Sequence, residues 1–116
     1  MRRAGPEDIG EIRHLLVSTG SAALATEVET ALGDGRHVAV LAEQDTGGAV
    51  GFGMLRLMDV PTGGGRAGAE VRLLVVHDDW RGRGIGEALL EPLRRDAAAR
   101  GCPEVRISTR ARRPSP

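Results

Sequence analysis

The sequence predicts an α/β (α+β) domain, with helices against a central sheet that is antiparallel in at least one hairpin. Three observations predict it. Helical periodicity dominates the first third of the chain. Two β-rich runs then flank the turn Asp45-Thr46-Gly47-Gly48, and a later apolar run passes through a basic, glycine-rich loop into another helix. At 116 residues there is room for one hydrophobic core and no second.

Gly5-Pro6-Glu7-Asp8 opens a first helix, because Pro fits the first helical position and acids suit the positive end of the helix dipole. Ile9, Ile12, Leu15 and Leu16 follow on one face. Ser21 is the candidate N-cap of a second helix, with Leu24, Val28 and Leu32 at four-residue spacing and Gly33 as its stop. Residues 37–43 and 49–58 pair as an antiparallel hairpin. Gly51 and Gly53, inside its second strand, signal a bulge or a close approach of another element. The strand from Glu70 to Val76 is apolar throughout its second half, as expected of a central strand buried on both faces. Ile85, Ala88, Leu89, Leu93 and Ala97 line a third helix that Gly101 ends. Pro92 inside that helix crowds the Ala88 carbonyl, which predicts a bend. Glu104-Val105-Arg106-Ile107-Ser108 is a last short strand. The domain is expected over residues 1–109, with a basic, flexible tail over residues 110–116.

Composition narrows the function. Sixteen basic and sixteen acidic residues cancel, so overall charge selects neither nucleic acid nor an anionic membrane. No segment approaches the ~20 apolar residues that span a bilayer, and the N-terminus has no apolar signal region. Cys102 is the only cysteine, which excludes an internal disulfide and a cysteine-based zinc site and points to the cytoplasm. His14 and His37 have no partners at metal-ligand spacing, so no metal is expected.

The loop after the apolar strand carries the chemistry. Leu74-Val75-Val76 runs through His77-Asp78-Asp79-Trp80-Arg81-Gly82-Arg83-Gly84-Ile85-Gly86-Glu87 into a helix, an arrangement that turns backbone N–H groups toward a phosphate. A dinucleotide fingerprint fails on spacing, since the glycines stand at 82, 84 and 86 and position 87 is Glu. A Walker A loop fails because no Gly-Lys precedes a Ser or Thr.

The order of elements, with Arg81, Gly84 and Gly86 in an Arg-x-x-Gly-x-Gly turn behind Leu74-Val75-Val76, resembles the GCN5-related N-acetyltransferase (GNAT) superfamily over essentially the whole chain. The resemblance implies a mixed, mainly antiparallel sheet and acetyl-CoA as cosubstrate. Arg81, Gly82, Arg83, Gly84, Ile85, Gly86 and Glu87 would hold the pyrophosphate, mainly through backbone N–H groups, and the main chain of Leu74, Val75 and Val76 would guide the pantetheine arm. It implies direct attack by a primary amine of a small molecule or peptide. A lysine-like amine is neutral in only about one molecule in a few thousand at pH 7, so a base is useful. Glu70 lies eleven residues before Arg81, where the histone-acetyltransferase branch carries its strand glutamate. The alternative for Glu70 is an ion pair with Arg72, two residues on and on the same face.

Other residues carry less. His77 stands where the family usually has Pro, and Trp80 is expected to pack the turn, with stacking open. Cys102 is expected to be inert. The family's C-terminal helix bears a tyrosine that protonates the departing thiolate. This sequence has no tyrosine and ends at Pro116, so a site shortened at its C-terminus is expected, with exposed edges that a homodimer would cover. Two other functions remain: an impaired acyl-CoA-binding or regulatory remnant, and, ranked last, a nucleic-acid binder using the arginines of the tail.

Overall fold

A computed structural model describes residues 1–58, 68–102 and 104–107. Five strands form one sheet in the order β1-β2-β3-β4-β5. They are β1 (Arg2–Arg3), β2 (His37–Glu43), β3 (Ala49–Leu57), β4 (Gly68–Val76) and β5 (Glu104–Ile107). The first three pairings are antiparallel and β4 pairs with β5 in parallel. Helices α1 (Ile9–Ser18) and α2 (Ala25–Leu32) cover one face, and α3 (Ile85–Ala99) covers the other. The mixed, mainly antiparallel sheet flanked by helices is the fold the sequence implies.

Each face has its own aliphatic core. Ile12, Leu15 and Leu16 of α1 and Val28 and Ala31 of α2 meet Ala39, Leu41, Phe52, Met54, Leu73 and Val75. Leu89, Leu90, Leu93 and Ala97 of α3 meet Val38, Val40, Leu55, Ala69 and Val71. The expected α3 stripe holds at Ile85, Leu89, Leu93 and Ala97 and differs at one position. Leu90 is buried, while Ala88 is exposed on the first turn. The helix runs unbroken through Pro92.

Gly51 and Gly53 mark where α3 comes closest to the sheet. A Cβ at Gly51 would lie 2.9 Å from Ile85 Cγ2, and one at Gly53 would lie 3.0 Å from Leu93 Cδ1. The close approach expected at these glycines is therefore real, and the irregularity of the hairpin falls beside it, between Ala42 and Glu43.

Two local expectations change, and one strand has no signal in the sequence. Strand β4 is fourth of five rather than central, and its residues alternate between buried and half-buried. α1 and α2 bury Leu73 and Val75 on one face, whereas Leu74 and Val76 on the α3 side are only half-buried. Ser21 leads into a 3₁₀ turn, Ala22–Leu24, before α2 begins. Its carbonyl, not its side chain, takes the Leu24 N–H at 3.0 Å. Finally, β1 carries no apolar alternation to announce it. It is pinned by charge: Arg2 donates to both carboxylate oxygens of Asp8 (2.7 and 3.0 Å) and to Glu43, and Arg3 reaches Asp96 of α3 at 2.7 Å.

One irregularity positions the site. Pairing between β3 and β4 passes from Met54 opposite Leu73 to Leu55 opposite Val71, leaving Arg72 as an extra residue in β4. The bulge reverses the side-chain alternation. Ala69 and Val71 face α3, whereas Leu73 and Val75 face α1 and α2. Ser108 and the residues 110–116 of the expected tail lie outside the described residues.

Candidate functional site

The end of β4 is held against β3 by the His77 N–H, which donates to Val50 O at 2.8 Å. Asp78–Trp80 then form a 3₁₀ turn, closed by the Trp80 N–H on His77 O at 2.8 Å. The His77 Nδ1 accepts the Asp79 N–H at 3.1 Å, so this histidine caps the turn. Gly82 and Gly84 both adopt φ of +77°, the left-handed region that a side chain strains. Gly86 is different. It lies in the first turn of α3, where a Cβ would sit 3.9 Å from Leu74 Cδ2 and 4.0 Å from Val76 Cγ2, an ordinary contact. Conformation demands glycine at 82 and 84, whereas alanine fits at 86.

The Ala88 N–H is the first to turn back into the helix, onto Gly84 O at 3.0 Å. Among the described residues, the backbone N–H groups of residues 82–87 have no acceptor. Unsatisfied donors therefore gather at the positive end of a fifteen-residue helix, a geometry suited to an anion. The arginines beside them are tethered locally. Arg81 lies 3.1 Å from Asp78 Oδ1, and the Arg83 guanidinium sits 4.6 Å from the centroid of the Trp80 ring. Trp80 is half-buried against the α3-side core and serves as a platform for Arg83.

Leu74 and Val76 meet Gly86 side by side, so strand end and helix start form one structure. On the other edge of β4, pairing with β5 covers Gly68 to Val71. Among the described residues, no strand pairs with β4 from Arg72 onward.

Glu70 stands at the opposite end of the same strand, roughly 20 Å along β4 from Val76. Its Oε1 accepts from Arg72 Nη1 at 2.8 Å, and Arg72 also lies 3.8 Å from Glu27 Oε1 of α2. The ion pair foreseen as the alternative for Glu70 is thus present. It is half-exposed and open to exchange.

An open cleft of about 580 Å³ lies beside the His77–Trp80 turn, lined in part by Glu11, His14, Gln44, His77, Asp79 and Trp80. It has two carboxylates and no arginine among its lining residues, the wrong sign for a phosphate. His14 is exposed on α1. His37 opens β2 with Nδ1 3.6 Å from Asp34 Oδ2; burial pushes its imidazole below the usual range, opposed by Asp34 and reinforced by Arg56 and Arg72. Cys102 is buried in the α3-side core. Among the described residues, no three His, Cys, Asp or Glu side chains come together as a metal site, and no helix is long and apolar enough to cross a membrane.

The sequence reading missed the second partner of Arg72, Glu27, and the bulge that places Arg72. The bulge has a sequence signal, the apolar doublet Leu73-Leu74 interrupting the alternation of residues 69–73. Glu27 has none, because α2 meets β4 only through tertiary packing.

Residues 9–114 match the acetyltransferase (GNAT) family. Over 37 residues, 32% of this chain, the sequence is 49% identical to an acetyltransferase of Sodalis glossinidius and, equally, to one of Pectobacterium atrosepticum. That match spans only 26% of either relative's length. A ribosomal-protein-alanine N-acetyltransferase from Brucella melitensis biovar Abortus 2308 shares the fold with a TM-score of 0.74 and 28% identity, over 91% of this chain and 75% of that one. An acetyltransferase from Trypanosoma brucei gives 0.74 and 25%, over 93% and 80%. An aminoglycoside 6′-N-acetyltransferase from Acinetobacter baumannii shares the fold alone, with 0.75 and 15% over 92% and 76%.

Proposed function

Because the chain belongs to the acetyltransferase (GNAT) family, we propose that it transfers an acetyl group from acetyl-CoA to a primary amine of a small molecule or peptide. The observation that carries this is the row of N–H groups over residues 82–87 that have no acceptor among the described residues, at the end of β4 where Leu74 and Val76 lie beside Gly86. In this reading the pyrophosphate rests on the backbone of Gly82, Arg83, Gly84, Ile85, Gly86 and Glu87, with Arg81 and Arg83 adding charge. The main chain of Leu74, Val75 and Val76 aligns the pantetheine arm as an added strand.

The chemistry is a direct displacement. The amine nitrogen attacks the thioester carbonyl, a β4 N–H stabilises the developing oxyanion, the C–S bond breaks, and CoA leaves as a thiolate. Glu70 takes the proton that the amine loses, directly or through one water. The departing thiolate collects its proton from solvent. No metal takes part. A single cysteine, buried and unpaired, suits a cytoplasmic enzyme.

Saturating acetyl-CoA, at about a hundred times its Kd, should raise Tm by ~10 °C or more. Amines should then release free CoA. A second reading, acyl-CoA binding without transfer, is favoured by one observation: Glu70 is already engaged by Arg72. It predicts the same Tm shift with no amine-dependent CoA. The absence of any Tm shift would remove both readings.

A further inference from the structure

A row of charge crosses the α1/α2 face of the sheet, and acetyl transfer itself uses only one of its members. His37, Arg56, Glu70 and Arg106 stand in register across β2, β3, β4 and β5. Paired positions share a face. The packing says which one: Ala39, Leu41 and Met54, in step with His37 and Arg56, lie in the α1/α2 core, while Ala69, Val71, Val105 and Ile107, out of step with Glu70 and Arg106, pack on the α3 side. Arg72 joins the row from its bulge, held by Glu70 and by Glu27 of α2.

Arg56 and Arg106 are exposed, and among the described residues neither has a hydrogen-bond or ion-pair partner. Three arginines therefore stand in or beside this row, Arg72 in contact with Glu70 and Arg56 and Arg106 in register on the flanking strands, against that one carboxylate on the strand and Glu27 on the helix. Arg56 and Arg106 stand one strand to either side of Glu70, and with Arg72 they leave this part of the row with more positive than negative charge, which favours an anion beside it. His37 adds no positive charge, since burial holds its pKa down, and Asp34 is at the far end of the row beside it.

We infer that the acceptor is an amine that carries its own carboxylate, bound by Arg56 and Arg106 while the amine faces Glu70. This rests on the proposed acetyl transfer, with Glu70 at the acceptor end of β4. Neighbouring strands are about 5 Å apart, so an arginine on either side of Glu70 suits a carboxylate within a few bonds of the amine. Guanidinium groups grip carboxylates in two-pronged fashion, whereas a polycationic amine meets repulsion from the same row.

The test uses the full chain with glycine, β-alanine and γ-aminobutyrate, each against its own carboxamide, and a polyamine such as spermidine. Affinity is measured by calorimetry in the presence of CoA, and kcat/KM with acetyl-CoA. The carboxylate should be preferred at least tenfold in the best-fitting pair, and spermidine should be the poorest. Arg56→Ala should raise KM about tenfold with little change in kcat, and Arg56→Lys should recover part of the loss. The double variant Arg56→Glu, Arg106→Glu should reverse the preference with the acetyl-CoA Kd unchanged. Equal binding of every pair, binding of no member, preference for spermidine, or a preference that survives the double reversal overturns the inference. Any of these in a protein that binds acetyl-CoA leaves cofactor binding standing, whereas failure to bind acetyl-CoA refutes the parent proposal.

Discussion

Gly84 and Gly86 sit two residues apart in the same turn and should respond to alanine in opposite ways. At Gly84 the +77° φ makes a side chain strained by about 1–2 kcal/mol, and relief of that strain would swing the N–H groups of the turn. Gly84→Ala should weaken acetyl-CoA tenfold or more by calorimetry. Gly86→Ala meets only ordinary contacts and gains helix propensity of about 0.5–1 kcal/mol, so it should bind as wild type with an unchanged or slightly raised Tm. Glu70→Gln should lower kcat by ~10²–10⁴ with acetyl-CoA affinity intact. Because the Glu70–Arg72 pair is half-exposed, stability should change by no more than about 1 kcal/mol. At this scale the sequence was legible where chemistry is local. The spacing of Arg81, Gly84 and Gly86 needs no tertiary information, and neither does the pairing of Glu70 with Arg72. The cation–π contact of Arg83 with Trp80 and the reach of Glu27 to Arg72 depend on how elements pack.

α3 is seated on β3 through glycines, so the placement of the anion-facing turn depends on a contact outside it. Ile85 is the first residue of α3 and would meet a Cβ at Gly51 at 2.9 Å. Gly51→Val should cost about 1–3 kcal/mol by overpacking and also weaken acetyl-CoA, since Ile85 moves with the turn. Leu93→Ala, two turns further along, should cost about 2–5 kcal/mol in a denaturant melt and leave affinity nearly unchanged at temperatures where the protein is folded. The hairpin and the strand-turn-helix unit were legible as elements because turn residues and periodicity are local signals. β1 was not, since two exposed arginines carry no strand signal and are held by pairing with β2 and by Asp8, Glu43 and Asp96, which only the fold brings to them. Strand β4 was misjudged as buried on both faces. An apolar run shows hydrophobicity but not which neighbours cover it, and the bulge at Arg72 redistributes the faces.

Across the whole molecule, two aliphatic cores share one sheet, and the N-terminal strand is tied to both layers by ion pairs. Asp8 is the buried member. The Arg2 guanidinium, assisted by the Gly5 N–H at 2.9 Å, holds its carboxyl below the usual carboxylate range against the cost of burial. A group with a depressed folded-state pKa contributes stability above its unfolded value, near 3.9 for Asp, and loses it as pH falls through the folded value. Wild type should therefore lose more Tm between pH 6 and pH 2.5 than Asp8→Asn, which starts lower and falls less. A larger fall in the variant would mean that another group controls acid unfolding.

Amine-dependent release of CoA from acetyl-CoA, with the N-acetyl product identified by mass, tests the central claim most directly. The account predicts release that requires a primary amine, saturates with both substrates, and falls by ~10²–10⁴ in Glu70→Gln. Release that is indifferent to amine, or none from a chain whose Tm acetyl-CoA raises, would contradict it and leave a protein that binds the acyl donor without using it.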